Sequence, residues 1–269
     1  MSEDRSRNGI PNVFLLASNL FISVLQCLCG YTVGIVPIEE PTPARLAVRE
    51  IREVYSRLAP LYEIWQRLVQ GRSLRAALEL ADVQNGERVL EVAVEPGRAL
   101  EFLAGRNPGG MTIGVDLTPV MLERARRRLK KKSGVRRQKS EGVRALIQGD
   151  ARFLPVADES FDLVFSSYLL DLLSAADIGR ALAEMHRVLR PSGKLVLIYL
   201  RQGNRWFDRV WNALYWLAPL LLGGSRPIHI AAGLPEAGFT MIERRRIAER
   251  GIPAEVILAR RSDSSSQPA

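Results

Sequence analysis

From Arg88 onward the chain alternates short β-rich runs with helical ones, and no other feature of the sequence constrains its fold as strongly. The runs are "RVLEVAV", "TIGV", "RALIQ", "FDLVFSS", "KLVLIYL", "FTMIERRRIAE" and "AEVILAR". Strands separated by helices imply βαβ units and a parallel sheet, because a parallel neighbour is reached only by a long crossover. Between the last two runs lies only "RGIP", so that pair is expected to form an antiparallel hairpin. Ahead of the first run, Val54, Leu58, Leu61, Ile64 and Leu68 share one face of a helix over Ile51 to Leu68, and a second helix is expected over Ser73 to Leu80. The expected class is α/β: a Rossmann-like, mostly parallel sheet of seven strands with helices on both faces and a C-terminal antiparallel hairpin. An N-terminal hydrophobic segment precedes it.

In an open α/β sheet the ligand lies beyond the carboxyl ends of the strands. The chemistry is therefore sought after each run, at "EVAVEPGR", Asp116, "GDA" and Ser166 to Tyr168. Gly97 permits a positive φ or a close backbone approach, and the helix after it can aim its first amides at a carboxylate. Asp116 stands 25 residues beyond Glu91, where an acid can accept hydrogen bonds from both ribose hydroxyls. Asp150 can accept from an adenine amino group while the Ala151 amide meets a ring nitrogen.

Ahead of the α/β region, Pro11 to Ile38 carries no charge and is about long enough to cross a bilayer as a helix. It is a transmembrane candidate; a leader outside the working protein is the alternative, since the fold needs nothing before about Ala47. Arg45, Arg49 and Arg52 follow this segment while Arg5 and Arg7 precede it, which favours a cytoplasmic location, anchored at the inner face of the membrane. The expected domains are a leader and linker over 1–46, an α/β domain over 47–261 and a polar, disordered tail over 262–269. Of the net charge of +9, ten Lys or Arg residues lie between Arg124 and Lys139 with no acid among them. The basicity is thus local and reads as a solvated helix end and loop, and nucleic acid is not the expected partner. With two cysteines inside the apolar leader and two histidines in the chain, no metal-ligand set can be assembled.

The stretches "YSRLAPLYEIW", "RVLEVAVEPGRALEFLA", "GVDLTPVMLERARRRL", "QGDARFLPVADESFDLVFSSYLLDLL", "EMHRVLRPSGKLVLIYL" and "LPEAGFTMIERR" resemble the class I S-adenosylmethionine-dependent methyltransferases, especially the branch acting on quinones, phospholipids and small metabolites. The resemblance covers about Ile51 to Arg261 and implies S-adenosylmethionine as cofactor. By that resemblance Glu91, Ala93, Glu95 and Gly97 meet the methionine part of the cofactor. Asp116 takes the ribose, Leu117, Asp150 and Ala151 the adenine, and Ser166 opens the fourth loop. Where the family has E-x-G-x-G-x-G, this chain has Ala93 and Glu95 in the first two glycine positions. Turned inward, the Glu95 charge could repel the methionine carboxylate or pair with the cofactor's ammonium; turned outward, it costs only backbone preference.

Methyl transfer from a sulfonium requires alignment and sometimes a base. Candidates near the acceptor are Tyr55, Tyr62, Tyr168, Asp171 and His229; each has a bland reading as packing or as a helix start, and His186, beside an apolar stripe, reads as structural. The insertion "RWFDRVWNALYWLAPLLLGGSRPIHI" is open to three readings: a lid over an apolar acceptor, a helix resting on a membrane, or core packing. The expected activity is methyl transfer to a small apolar or lipid-like acceptor. The rival is a non-catalytic relative that has lost the cofactor and serves as a membrane-associated binding or scaffold module. A nicotinamide dehydrogenase ranks third, since its glycines are missing.

Overall fold

The computed structural model describes Glu50 and residues 70–132, 143–203, 205–217, 222 and 224–262, all within the unit Pro41–Ala269. The leader, Tyr55, Tyr62 and the expected first helix, the C-terminal part of the basic run and most of the tail lie outside the described residues. Among the described residues no helix is long and apolar enough to cross a membrane.

The strands are β1 Arg88–Val92, β2 Met111–Asp116, β3 Val143–Gln148, β4 Phe161–Ser167, β5 Leu189–Leu200, β6 Phe239–Glu249 and β7 Ile252–Arg261. The helices are α1 Gly71–Ala81, α2 Arg98–Arg106, α3 Pro119–Lys132, α4 Ala175–Val188 and α5 Arg205–Leu217. The seven strands form one sheet in the order β3-β2-β1-β4-β5-β7-β6. β7 runs antiparallel to both β5 and β6, while the β1, β2, β3, β4 and β5 pairings are parallel. The β6–β7 hairpin turns on Arg250 and Gly251, both at positive φ (51° and 82°), the backbone of a two-residue turn that matches strand twist.

The central strands are apolar on both faces, as strands covered on two sides must be. On β5, Leu195, Leu197 and Tyr199 join α4 residues Ala181, Leu182, Met185 and Val188 in one core. The alternate residues Val196 and Ile198 pack in a second core with Ala76, Ala77 and Leu80 of α1 and Leu103 of α2. A side-chain period of two thus assigns each residue of one strand to a different helix layer. Ser174 starts α4 by accepting the Asp177 amide at 3.2 Å, supplying one of the acceptors a helix N-terminus lacks.

Two elements differ from the sequence expectation. No helix joins β3 to β4; residues 149–160 cross as turns, a twelve-residue span containing Gly149 and Pro155 that leaves little room for a helix. β5 begins at Leu189 instead of Lys194, because Leu189 pairs with Phe161 before the register shifts and Ser192 (φ 59°) bulges out of the ladder. The described basic run behaves as a solvated helix end: Arg126 and Arg127 pair with Glu123 at 3.1 and 2.9 Å on the exposed side of α3.

Candidate active site

β1 lies between β2 and β4, and the chain leaves it first toward one edge of the sheet and later toward the other. A crevice opens beyond the carboxyl ends of strands at such a reversal. The β1–α2 loop forms one wall of this crevice, and its path is set by hydrogen bonds to the end of β2. The amides of Ala93 and Val94 donate to the Val115 carbonyl at 2.8 and 3.2 Å, and that of Glu95 donates to Asp116 Oδ2 at 2.9 Å. The Gly97 amide donates back to the Val94 carbonyl at 2.9 Å, and Gly97 caps α2 without a side chain to occupy the first helical amides.

Ala93, Glu95 and Gly97 all sit at positive φ, 63°, 54° and 82°. The loop therefore keeps a backbone suited to three glycines although it has one. Left-handed backbone costs an L-residue roughly 1–2 kcal/mol, which the hydrogen bonds to Val115 and Asp116 are placed to offset. Only Gly97 also needs the space: a Cβ there would fall 2.9 Å from the Ala125 Cβ of α3. The direction of Glu95, open in the sequence, is inward, since Glu95 lines the crevice.

Two further acids crowd this corner. Glu91 is 1% exposed, and its Oε2 has no hydrogen-bond partner among the described residues. Burial, then the charges of Glu95 and Asp116, push its pKa well above the carboxylate range. Burial raises Asp116 to about 6, against the amides of Thr118 and Glu95 that favour its charged form. The Thr118 amide donates to Oδ1 at 2.8 Å, and the Thr118 hydroxyl adds a further hydrogen bond to the same carboxylate.

Leu117, Asp150 and Ala151 line the crevice with Asp116, Ala93 and Glu95. The Gly149 amide binds the Asp116 carbonyl at 3.1 Å and draws the end of β3 against β2. Asp150 is clamped by its neighbour: Arg152 Nη2 reaches Oδ2 at 2.7 Å, and the Arg152 amide reaches Oδ1 at 2.9 Å. Although burial opposes it, these bonds hold the Asp150 pKa below its ordinary value. Arg152 in turn bonds Asp177 of α4 at 3.2 Å, so the β3 loop is braced from outside the crevice. Ser166 is placed differently from the other rim residues. It is buried, its hydroxyl donates to the Val92 carbonyl at 3.0 Å, and it ties β4 to β1 without lining the crevice.

Of the acceptor-side candidates, Tyr168 alone lines the crevice among those described. Its backbone is left-handed (φ 50°), and its hydroxyl shares a 2.8 Å hydrogen bond with Ser73 of α1. Burial pushes its pKa far up, which makes it a poor base. Asp171 is fully buried and accepts from the Ser225 hydroxyl; burial raises it to about 6. His229 lies in a different cleft, between α4 and the segment 226–237, with His186 and Arg226. His186 packs edge-on against Phe239, with ring centroids 5.4 Å apart. The sequence reading missed the apolar wall of the crevice, Leu169, Leu172, Leu173 and Met121. "YLLDLL" reads equally well as a helix start, and only the absence of polar spacing in it hinted at a wall. In the insertion, Trp211 is buried while Trp206 and Trp216 are 65% and 71% exposed.

The family model described as "Methyltransferase domain" matches residues 89–193, which contain the whole crevice described above. The demethylmenaquinone methyltransferase of Thermus thermophilus is 33% identical over 150 residues, 54% of this chain and 63% of that protein. The matched stretch thus spans less than two thirds of that relative's length. The ubiquinone/menaquinone biosynthesis C-methyltransferase UbiE of Paracoccus denitrificans is 30% identical over 177 residues, 61% of this chain and 68% of that protein. Among solved structures, the N-methyltransferase NodS of Bradyrhizobium japonicum in complex with S-adenosyl-L-homocysteine superposes with a TM-score of 0.54 at 19% identity, over 71% of this chain and 87% of that one. With this sheet order, this loop and these relatives, the chain belongs to the class I S-adenosylmethionine-dependent methyltransferase family.

Proposed function

We propose that the protein is an S-adenosylmethionine-dependent methyltransferase acting on a small apolar or lipid-like acceptor. The observation that carries this reading is the left-handed backbone at Ala93, Glu95 and Gly97, locked to Asp116: the glycine-type loop survives its substitutions. The residues fit the cofactor. The Glu91 oxygen that has no partner among the described residues and the acid-lined crevice suit a ligand with cationic groups, and Leu117, Ala151 and Met121 give apolar surface for a base.

In this reading the first amides of α2 receive the cofactor carboxylate and Asp116 accepts from the ribose hydroxyls. Glu91, Ala93, Glu95 and Gly97 form its methionine end, and Leu117, Asp150 and Ala151 its adenine end. When bound, S-adenosylmethionine supplies an electrophilic methyl group on a sulfonium. The chain contributes alignment and exclusion of water: Leu169, Leu172 and Leu173 form a dry wall against which an apolar acceptor can lie. The names of the Thermus and Paracoccus relatives support a quinone-type acceptor. The domain that works is 47–261, ahead of the tail. Residues 11–38 anchor it at the inner face of the cytoplasmic membrane, with the exposed Trp206, Trp216 and Leu217 on α5 supporting contact with lipid.

Calorimetry with S-adenosylmethionine and S-adenosylhomocysteine tests cofactor binding. Mass spectrometry of a short-tailed demethylmenaquinone incubated with protein and cofactor tests transfer. Tight cofactor binding with a methylated quinone supports the reading; failure of both nucleosides to bind leaves the scaffold alternative. For the anchor, the full chain is expected to pellet with membranes and a chain starting at Ala47 to stay in the supernatant.

A further inference from the structure

The apolar wall of the crevice has little to hold it in place by itself. Leu172 and Leu173 follow Leu169 through a single 3-10 turn, Leu170–Leu172, closed by the Leu172 and Leu173 amides on the Leu169 and Leu170 carbonyls at 3.0 and 3.2 Å. One such turn is a weakly bonded element. It is fastened from outside by two residues of the insertion, neither of which lines the crevice. The Ser225 hydroxyl donates to Asp171 Oδ2, the Arg226 amide donates to the Asp171 carbonyl at 3.1 Å, and Arg226 Nη2 donates to the Leu173 carbonyl. Ser225 is itself held by α5: Trp211 Nε1 donates to its carbonyl at 3.1 Å, while the Trp211 ring stacks on Phe207 with centroids 5.3 Å apart. Stability alone accounts poorly for this network. Asp171 and Arg226 are 0% and 2% exposed, and Asp171 Oδ1 and Arg226 Nε have no partner among the described residues. Buried opposite charges bonded this incompletely can often be exchanged for apolar side chains without loss of stability, so what distinguishes the network is the geometry it imposes.

We propose that Ser225 is a positioning residue for the methyl acceptor: together with Arg226 it fixes the wall at Leu172 and Leu173 from behind, and through Trp211 it ties that wall to α5. The inference rests on the apolar-acceptor reading above. It gives the insertion a role at the crevice as well as toward lipid. An apolar acceptor makes no directional bonds to Leu169, Leu172 and Leu173, so its alignment with the methyl group depends on how firmly those side chains are held. A wall held in place before the acceptor arrives costs less on binding than one the acceptor must order. The cofactor end of the crevice, built from the loops after β1, β2 and β3, is held by bonds of its own. Loss of the Ser225 hydroxyl therefore loosens the acceptor side and leaves the cofactor side as it is.

The test compares wild type with Ser225→Ala, which removes the hydroxyl, Ser225→Thr, which keeps it, and Trp211→Phe, which keeps an aromatic ring beside Phe207 and removes the N–H. A short-tailed demethylmenaquinone is titrated calorimetrically into each protein saturated with S-adenosylhomocysteine, at a temperature below every variant's thermal melt. Ser225→Ala is expected to weaken quinone binding about tenfold and to speed amide exchange at Leu172 and Leu173 by a similar factor, with the S-adenosylhomocysteine Kd within about twofold of wild type. Trp211→Phe should act in the same direction by about threefold, and Ser225→Thr should match wild type within about twofold. If Ser225→Ala does not fold, Trp211→Phe still reads the same wall. Quinone binding unchanged within about twofold in every folded variant that lacks a donor overturns the proposal, as does equal weakening of quinone and nucleoside, which would mean general loosening. Absence of quinone binding by wild type overturns the quinone-type acceptor reading and the proposal with it, an outcome distinct from binding that the variants leave unchanged.

Discussion

The backbone amide of Glu95 donates to the Asp116 carboxylate at 2.9 Å, so the acid that ends β2 also shapes the loop that follows β1. Asp116 therefore has two roles, one toward the protein and one toward the ligand. With its pKa raised to about 6, its charge titrates in a range where the protein can be studied. If the ionised carboxylate accepts from the ribose, S-adenosylhomocysteine affinity rises as pH rises through about 6 and levels above it. Asp116→Asn should bind weakly and lose that step. Calorimetry between about pH 5 and 8 reads both.

The two left-handed positions of the loop respond differently to substitution. Gly97→Ala combines a left-handed backbone with a Cβ 2.9 Å from that of Ala125, and a loss of about 2–4 kcal/mol is expected in urea unfolding. Glu95→Gly relieves strain at φ 54° but frees the unfolded chain, so its stability should stay within about 1 kcal/mol of wild type.

Asp171 predicts a stability that depends on pH. Its carboxyl is fully buried, Oδ1 has no partner among the described residues, and burial lifts its pKa to about 6. In the unfolded chain it titrates near 4, so between about 4 and 6 the folded state holds more protons, and this group's contribution falls as pH rises through that window. Asp171→Asn keeps an acceptor for Ser225 and removes the charge. Because the buried Arg226 faces this carboxylate, the read-out is the pH dependence: the fall in stability between about pH 4 and 6 should be smaller in the variant than in wild type, as read from denaturant midpoints.

On the far side of the sheet, Glu255 of β7 is 1% exposed and takes hydrogen bonds from the Tyr199 hydroxyl and from Arg244 Nε, the latter at 2.7 Å. Arg244→Met leaves the buried carboxylate with its main cation removed and is expected to cost about 3–5 kcal/mol in chemical denaturation. A double variant with Glu255→Leu should recover much of that loss.

Sequence alone determined the order of the strands and the edge of the sheet at which they gather their loops. Short β-rich runs marked all seven strands, and "RGIP" left the last pair no room for a crossover, so the antiparallel β6–β7 hairpin followed from chain length. These are local properties, decided by residues near one another along the chain. The rim followed as well, because strand ends in a parallel sheet share one edge: Asp116, Leu117, Asp150 and Ala151 meet Ala93 and Glu95 there.

The tertiary structure decided where each side chain at that edge points. Ser166 occupies the expected position, yet the Val92 carbonyl on the neighbouring strand lies within reach and takes its hydroxyl. His229 is carried into another cleft because its segment pairs with the end of β5 through Ile228 and packs on α4. Glu95 adopts a glycine backbone because Val115 and Asp116, twenty or more residues away, hold the amides of its loop. A local pattern fixes which face a residue occupies. Its hydrogen-bond partners and charge neighbours come from strands distant in sequence, and those partners determine what the residue does.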